Sequence, residues 1–303
     1  MRVGVGLLTY EAGMPGAPTG WPEAYRAATE FALTAEALGF EHVWVSEHHA
    51  WYTGYCPAAV VASAALLART STIGVATGIV NASVRPPAEL AASAHQLSVD
   101  SAGRFELGIG RGYRVLETTT PGGRERQALA RAVPDFLEEW GRLRPRTPLW
   151  VAATARAAVR RAAAGGHRIL LAPFTDRERV RVLAGEYRDA YVGPDPCVGV
   201  LRDCCPDADS AAMAARMYRE EISGWWARDG KLLSEQGGAD DALSAVLGRV
   251  ATGTADEISE RLAEDEADGV DYLALRVSFG GSARSDQLQL LAEVPAVRSW
   301  LCG

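Results

Sequence analysis

Apolar residues recur along this chain at two periods, and the period switches repeatedly. "RVGVGLL" near the start is strand-like. "WPEAYRAATEFALTAEALG" follows with Phe31, Ala35 and Leu38 at i, i+4 and i+7, a helical stripe that Gly39 ends. "HVWVS" reads as a second strand, and "PAAVVASAALLAR" as a second helix with Pro57 in its first turn. "TIGVATGIV", "PPAELAASAHQLSVD" and "GRFELGIG" supply a third strand, a third helix and a fourth strand. Residues 124–142 are helical in pattern, with Pro134 expected to kink or divide them. Beyond them "PLWVAA", "RILLAP", "CVGVLRDC" and "DYLALRV" read as strands, each followed by a helical pattern, the last being "SDQLQLLAEVPAVRSWL".

Strands alternating with helices in this way predict a parallel sheet, and eight such units predict a closed barrel. The expected fold is therefore α/β, a (β/α)8 TIM-type barrel forming one domain over residues 1–303. An open dinucleotide-binding sheet would need G-x-G-x-x-G after the first strand, and "YEAGMPGAPTGWPE" lacks that spacing. No low-complexity linker divides the chain. "DGKLLSEQGGAD", residues 229–240, reads as a mobile loop, either an active-site lid or an ordinary surface loop.

Composition narrows the partners. A net charge of −7 and a pI near 5.4 repel phosphate backbones, so nucleic-acid binding is not expected. Five scattered cysteines make no disulfide framework. The short apolar run at the start reads as a strand rather than a signal peptide or membrane span, which points to the cytoplasm.

In a barrel of this kind chemistry sits at the carboxyl ends of the strands. The second strand ends in "HVWVSEHHAWY", on Glu47, His48 and His49. Alternation sends Glu47 and His49 one way and Ser46 and His48 the other. His48, with an unperturbed pKa near ~6.5, suits proton transfer at neutral pH; the competing reading is an inert polar rim. A metal site is not expected, because the other strand ends offer Thr77, Gly110 and Ala153. In "GIGRGYR", Gly110 and Gly112 let a backbone approach a ligand, and Arg111 either grips a phosphate or belongs to a plain turn. In "VAATARAAVRR", Thr154 is placed to cap a helix whose positive end would seat a phosphate. The small residues Thr77 and Gly78 leave room for a flat ring at the mouth.

"LLTYEAG", "AEALGFEHVWVSEHHA", "HQLSVDSAGRFELGIGRGY", "PLWVAATA" and "GTADEISERLAEDEADGVDYLALR", in that order, resemble the bacterial luciferase-like flavin monooxygenase family. The resemblance implies a barrel enzyme that takes reduced, dissociable FMN from a separate reductase and uses O2 to oxygenate a small organic substrate through a flavin peroxide. It makes His48 catalytic and sets Glu47 near the flavin ring. Arg111, Ala153 and Thr154, with Arg126, become phosphate contacts, and Gly110 and Tyr113 border the ring. It also implies a cis non-proline peptide near Thr77-Gly78 and a homodimer through the second and third helices. The chain departs from luciferase in having Gly110 in place of a cysteine, Ala153 in place of a glutamate and Ala157 in place of a threonine. The segment "RLRPRTP" and the lid region are also short, so a long-chain aldehyde is not the expected substrate. Two alternatives stay open: hydride transfer with a deazaflavin coenzyme, and a non-catalytic flavin-binding protein.

Overall fold

The computed structural model describes residues 1–10, 20–49, 56–112, 126–145, 149–224, 238–279 and 283–302. The expected barrel is present. Its strands are β1 (Arg2–Leu8), β2 (His42–Val45), β3 (Gly74–Thr77), β5 (Phe105–Gly110), β6 (Leu149–Ala152), β7 (Arg168–Leu171), β8 (Val198–Cys205) and β10 (Tyr272–Arg276). Every pairing among them is parallel, and β10 pairs with both β1 and β8, which closes the ring. Two short strands lie outside this count: β4 (Val80–Asn81) pairs with β5, and β9 (Ala251–Thr252) with β8.

Helices α1 (Trp21–Leu38), α2 (Ala59–Leu67), α3 (Pro87–Asp100), α4 (Arg126–Leu143), α5 (Arg156–Ala164) and α6 (Arg177–Ala190) surround the first part of the barrel. They are followed by α7 (Ala208–Gly224), α8 (Ala239–Leu247), α9 (Ala255–Ala267), α10 (Ser285–Ala292) and α11 (Pro295–Cys302). Gly39 ends α1 with φ 86°, and its N–H returns to Ala35 and Glu36, the left-handed stop that glycine favours. Thr254 and Glu257 close a reciprocal capping box at the start of α9.

Four boundaries differ from the sequence reading. α2 begins at Ala59, two residues after Pro57. α4 runs unbroken through Pro134, so the proline neither divides nor ends it. The C-terminal pattern is two helices, because Pro295 has no N–H to continue α10 and instead opens α11. Residues 239–240 of the expected loop begin α8, with Gly238 as its N-cap; residues 229–237 lie outside the described residues.

The period of two along each strand divides the core. Val3, Val5, Val43, Val45, Leu107 and Ile109 face outward into a buried layer shared with the helices. Trp44, Trp150 and Tyr272 face inward and fill the amino-terminal half of the barrel, their rings 5.2–5.7 Å apart. Glycines on neighbouring strands make room for them. A Cβ at Gly4 would stand 2.1 Å from the Tyr272 hydroxyl, and one at Gly199 2.6 Å from Trp150.

This plug is polar as well as aromatic. The Tyr272 hydroxyl accepts from Trp44 Nε1 at 3.0 Å, and Trp150 Nε1 donates to Glu106 at 2.6 Å. Arg168 donates to Glu106 at 3.2 Å and to Asp195 at 2.7 Å. Burial alone would raise the Glu106 pKa, but His42, Arg168 and Trp150 outweigh it and bring it to about 2.

Candidate active site

The carboxyl-terminal mouth is built differently. Above the aromatic plug the inward positions are small, Gly78, Gly110, Ala152 and Ala172, and they leave a cleft of about 480 Å3. Its walls are apolar, from Ile79, Val151, Leu170 and Leu201 of the barrel and Val133 and Leu137 of α4.

Ser46, Glu47 and His48 all border the cleft, so the expected alternation does not separate them beyond Val45, where β2 ends. The His48 N–H donates to the Cys56 carbonyl at 3.0 Å, fixing the backbone there. Burial lowers the imidazole pKa to about 4, against an opposing pull from Glu47. The expected value near neutrality is thus corrected. The shift favours the neutral imidazole at pH 7.

Glu47 borders the same cleft, but its carboxylate is fully enclosed and fully used. Oε1 accepts from His49 Nε2 at 3.2 Å, from Arg85 at 2.9 Å and from the Asn81 N–H at 3.2 Å. Oε2 accepts from the Ala59 N–H at the start of α2 at 3.0 Å. Burial raises its pKa, and the His49 hydrogen bond, the Arg85 charge and the Ala59 N–H more than reverse this, leaving it ionised. One carboxylate therefore ties the end of β2 to β4, to α2 and to Arg85. Nothing in the sequence marks Arg85 as its partner, since 38 residues separate them.

Thr77 and Gly78 divide in role. Gly78 lines the cleft, and a Cβ there would press on Trp44 at 2.9 Å. Thr77 turns away from it, donating to the Gly108 carbonyl at 2.9 Å and accepting from the Gly108 N–H at 2.8 Å. The cis peptide bond lies at Gly78-Ile79, one residue beyond the expected Thr77-Gly78. Gly110 also has a steric reason, because a Cβ at this position would meet Ile79 Cδ1 at 2.0 Å. A side chain at this point would require the Ile79 terminal methyl to move aside. Gly112 combines φ 82° with close contact to the Asn81 side chain.

Arg111 lies exposed at the rim of the cleft. Ala153 and Thr154 line it too, but Thr154 does not cap the next helix. The N-cap of α5 is Ala155, which offers no side-chain acceptor, so the first N–H groups of the helix lack a side-chain cap. Thr154 instead gives its carbonyl to Arg179 at 2.8 Å. Arg126 opens α4, with its side chain outside the described residues, as is all of Tyr113. Arg161, which the sequence motifs do not single out, also lines the cleft; it stands three residues after Ala158 on the same helix face.

Among the described residues no cluster of three or more His, Cys, Asp or Glu is arranged to hold a metal ion. No helix of the described residues is long and apolar enough to cross a membrane.

Residues 1–144, which contain His48, the Gly78-Ile79 bond and Arg111, match the family described as luciferase-like monooxygenase. That match takes in a little under half of the chain. An F420-dependent glucose-6-phosphate dehydrogenase of Amycolatopsis mediterranei is 32% identical over 123 residues, 39% of this chain and 34% of that protein. A 4-hydroxyprotoasukamycin monooxygenase of Streptomyces nodosus subsp. asukaensis is 39% identical over 85 residues, 27% of this chain and 22% of that protein. The matches thus span about a third or less of these curated relatives. The crystal structure of monooxygenase RslO1 from Streptomyces bottropensis superposes with a TM-score of 0.73 at 22% identity, covering 99% of this chain and 100% of that one. The likeness in fold accordingly extends over the whole chain.

Proposed function

We propose that this chain is a flavin-dependent monooxygenase that takes reduced FMN from a separate reductase and uses O2 to oxygenate a small organic substrate. The observation that carries the reading is the composition of the cleft: apolar walls, one neutral imidazole facing in, and unpaired guanidinium at the rim. An isoalloxazine ring fits the walls, and a phosphate fits Arg111 together with the uncapped N–H groups that open α5. Reduced flavin supplies the electrons that activate oxygen.

The rest falls to the protein. Ile79, Val151 and Leu170 exclude water from the reacting face. His48 accepts a proton at an imidazole nitrogen. Its low pKa makes it a weak base alone, but an anionic ligand beside it raises that pKa toward neutrality, where proton transfer is most effective. Glu47 holds the end of β2 so that His48 keeps its place. The protein acts as a homodimer through α2 and α3, whose outer faces expose Val61 and Val99.

A second reading keeps the cleft and replaces oxygen chemistry with hydride transfer on a deazaflavin coenzyme; the F420-dependent relative favours it. Oxygen separates the two. Anaerobic titration with reduced FMN, then rapid mixing with O2, should give saturable binding and flavin reoxidation slower than that of free FMN. His48→Ala should bind FMN as before and lower turnover by roughly 10²–10⁴-fold. Absent binding, or reoxidation at the free-solution rate, moves the assignment to the deazaflavin enzyme. Unchanged turnover in His48→Ala removes His48 from the chemistry.

A further inference from the structure

Among the described residues, four ionisable side chains line the cleft: Glu47, His48, Arg111 and Arg161. Glu47 is neutralised by Arg85, and His48 is uncharged at pH 7. Both uncompensated charges are therefore positive, in a chain whose net charge is −7. Along α5 the other arginines are engaged, Arg156 and Arg160 both reaching Glu186. Among the described residues, Arg161 and Arg111 have no ion-pair partner.

The space around Arg161 is continuous with the barrel mouth. Ala155, Ala158 and Ala162 follow one another at helical spacing along the face of α5 that lines the cleft, opposite Val133, Pro134 and Leu137 of α4. α4 packs mainly against α3 and α5 mainly against α6, so the gap between α4 and α5 extends the cleft outward. Methyl side chains keep this gap open as far as Arg161. They also remove a polar contact, because Ala157 offers no hydroxyl to a phosphate.

We propose that Arg161 is a further guanidinium for the phosphate end of the flavin cofactor, acting with Arg111 and the Thr154 hydroxyl, so that charge makes up for the hydroxyl that Ala157 does not supply. The proposal rests on the flavin reading. A dianionic phosphate between two guanidiniums is neutralised without either cation having to leave another partner. Binding of that kind depends strongly on salt, because the cations lie at a solvent-accessible rim.

The test is fluorescence titration of the full chain with FMN and with riboflavin, at low and high salt, in the wild type, Arg111→Gln and Arg161→Gln. Arg161→Gln should weaken FMN binding about 10-fold, leave riboflavin binding unchanged and flatten the salt dependence. Arg161 is exposed, so the variant should unfold at the same temperature as the wild type. FMN affinity equal to wild type in Arg161→Gln, with Arg111→Gln impaired, overturns the role of Arg161 alone. Loss of riboflavin and FMN binding together also overturns it, because the phosphate is then not what Arg161 senses. A wild type that binds FMN no better than riboflavin overturns the underlying phosphate reading as well.

Discussion

The two ends of the barrel are built from the same strands and treat charge in opposite ways. At the amino-terminal end Arg168, Glu106, Trp150, Tyr272 and Trp44 meet in a sealed cluster where the charges are paired and the ring donors have acceptors. At the carboxyl-terminal end the inward residues are glycine and alanine, the His48 imidazole is neutral, and among the described residues Arg111 and Arg161 have no ion-pair partner. Buried charge that is matched internally serves the fold. Charge left unmatched beside an apolar cleft is available to a ligand.

The comparison breaks most readily at Glu106. Glu106→Ala leaves Arg168 with Asp195 alone and strips the Trp150 N–H of its acceptor, in a region sealed from water. Removing one partner of a buried pair costs about 3–5 kcal/mol, whereas Arg111→Gln at the mouth should stay within about 0.5 kcal/mol. Urea unfolding of both variants measures the contrast, and equal losses would abolish the distinction between the ends.

Sequence reached these two ends unequally. The barrel was legible because alternation and helical stripes repeat eight times, each unit supporting the same architecture. His48, Gly78, Gly110, Arg111, Ala153 and Thr154 were found at the mouth because strand ends converge there whatever the side chains. Roles set by tertiary contact were not readable. Thr77 belongs to the Gly108 backbone, Glu47 to Arg85 and Ala59, and the helix after β6 begins beyond Thr154. The low pKa of His48 was hidden for the same reason, since desolvation is a property of the surroundings.

Acid should divide the two ends by pH. Burial depresses the His48 pKa to about 4, below the unfolded value near ~6.5, so the unfolded state binds more protons in between. Stability tied to His48 is therefore present above that window and lost as pH falls from ~6.5 toward 4. His167, also lowered by burial, adds to the same window. Glu106 is depressed to about 2, so its contribution is present above the unfolded value near ~4.3 and lost as pH falls through 2. His48→Gln should recover roughly 1–3 kcal/mol of the loss between pH 6.5 and 4, leaving the lower window unchanged. Denaturant midpoints measured across pH test this, and an unchanged upper window would mean that His48 is not held neutral by the fold.

An effect smaller than that at Glu106 lies where the two ends join. The Thr77 hydroxyl both donates to and accepts from the Gly108 backbone, bridging β3 and β5 just below the cleft. Thr77→Val keeps nearly the same shape and buries a methyl group in place of the hydroxyl, leaving the Gly108 N–H without its side-chain acceptor. An unsatisfied buried donor costs about 1–3 kcal/mol, less than the broken pair at Glu106. Because Gly108 precedes Ile109 and Gly110 on the same strand, the change should also loosen the backbone that presents Arg111. Stability and FMN affinity should then fall together in Thr77→Val, whereas Glu106→Ala should lower stability and spare affinity while the protein stays folded. If affinity in Thr77→Val were untouched, the plug and the mouth would be independent layers. A joint loss would mean that the mouth borrows its order from the strands beneath it.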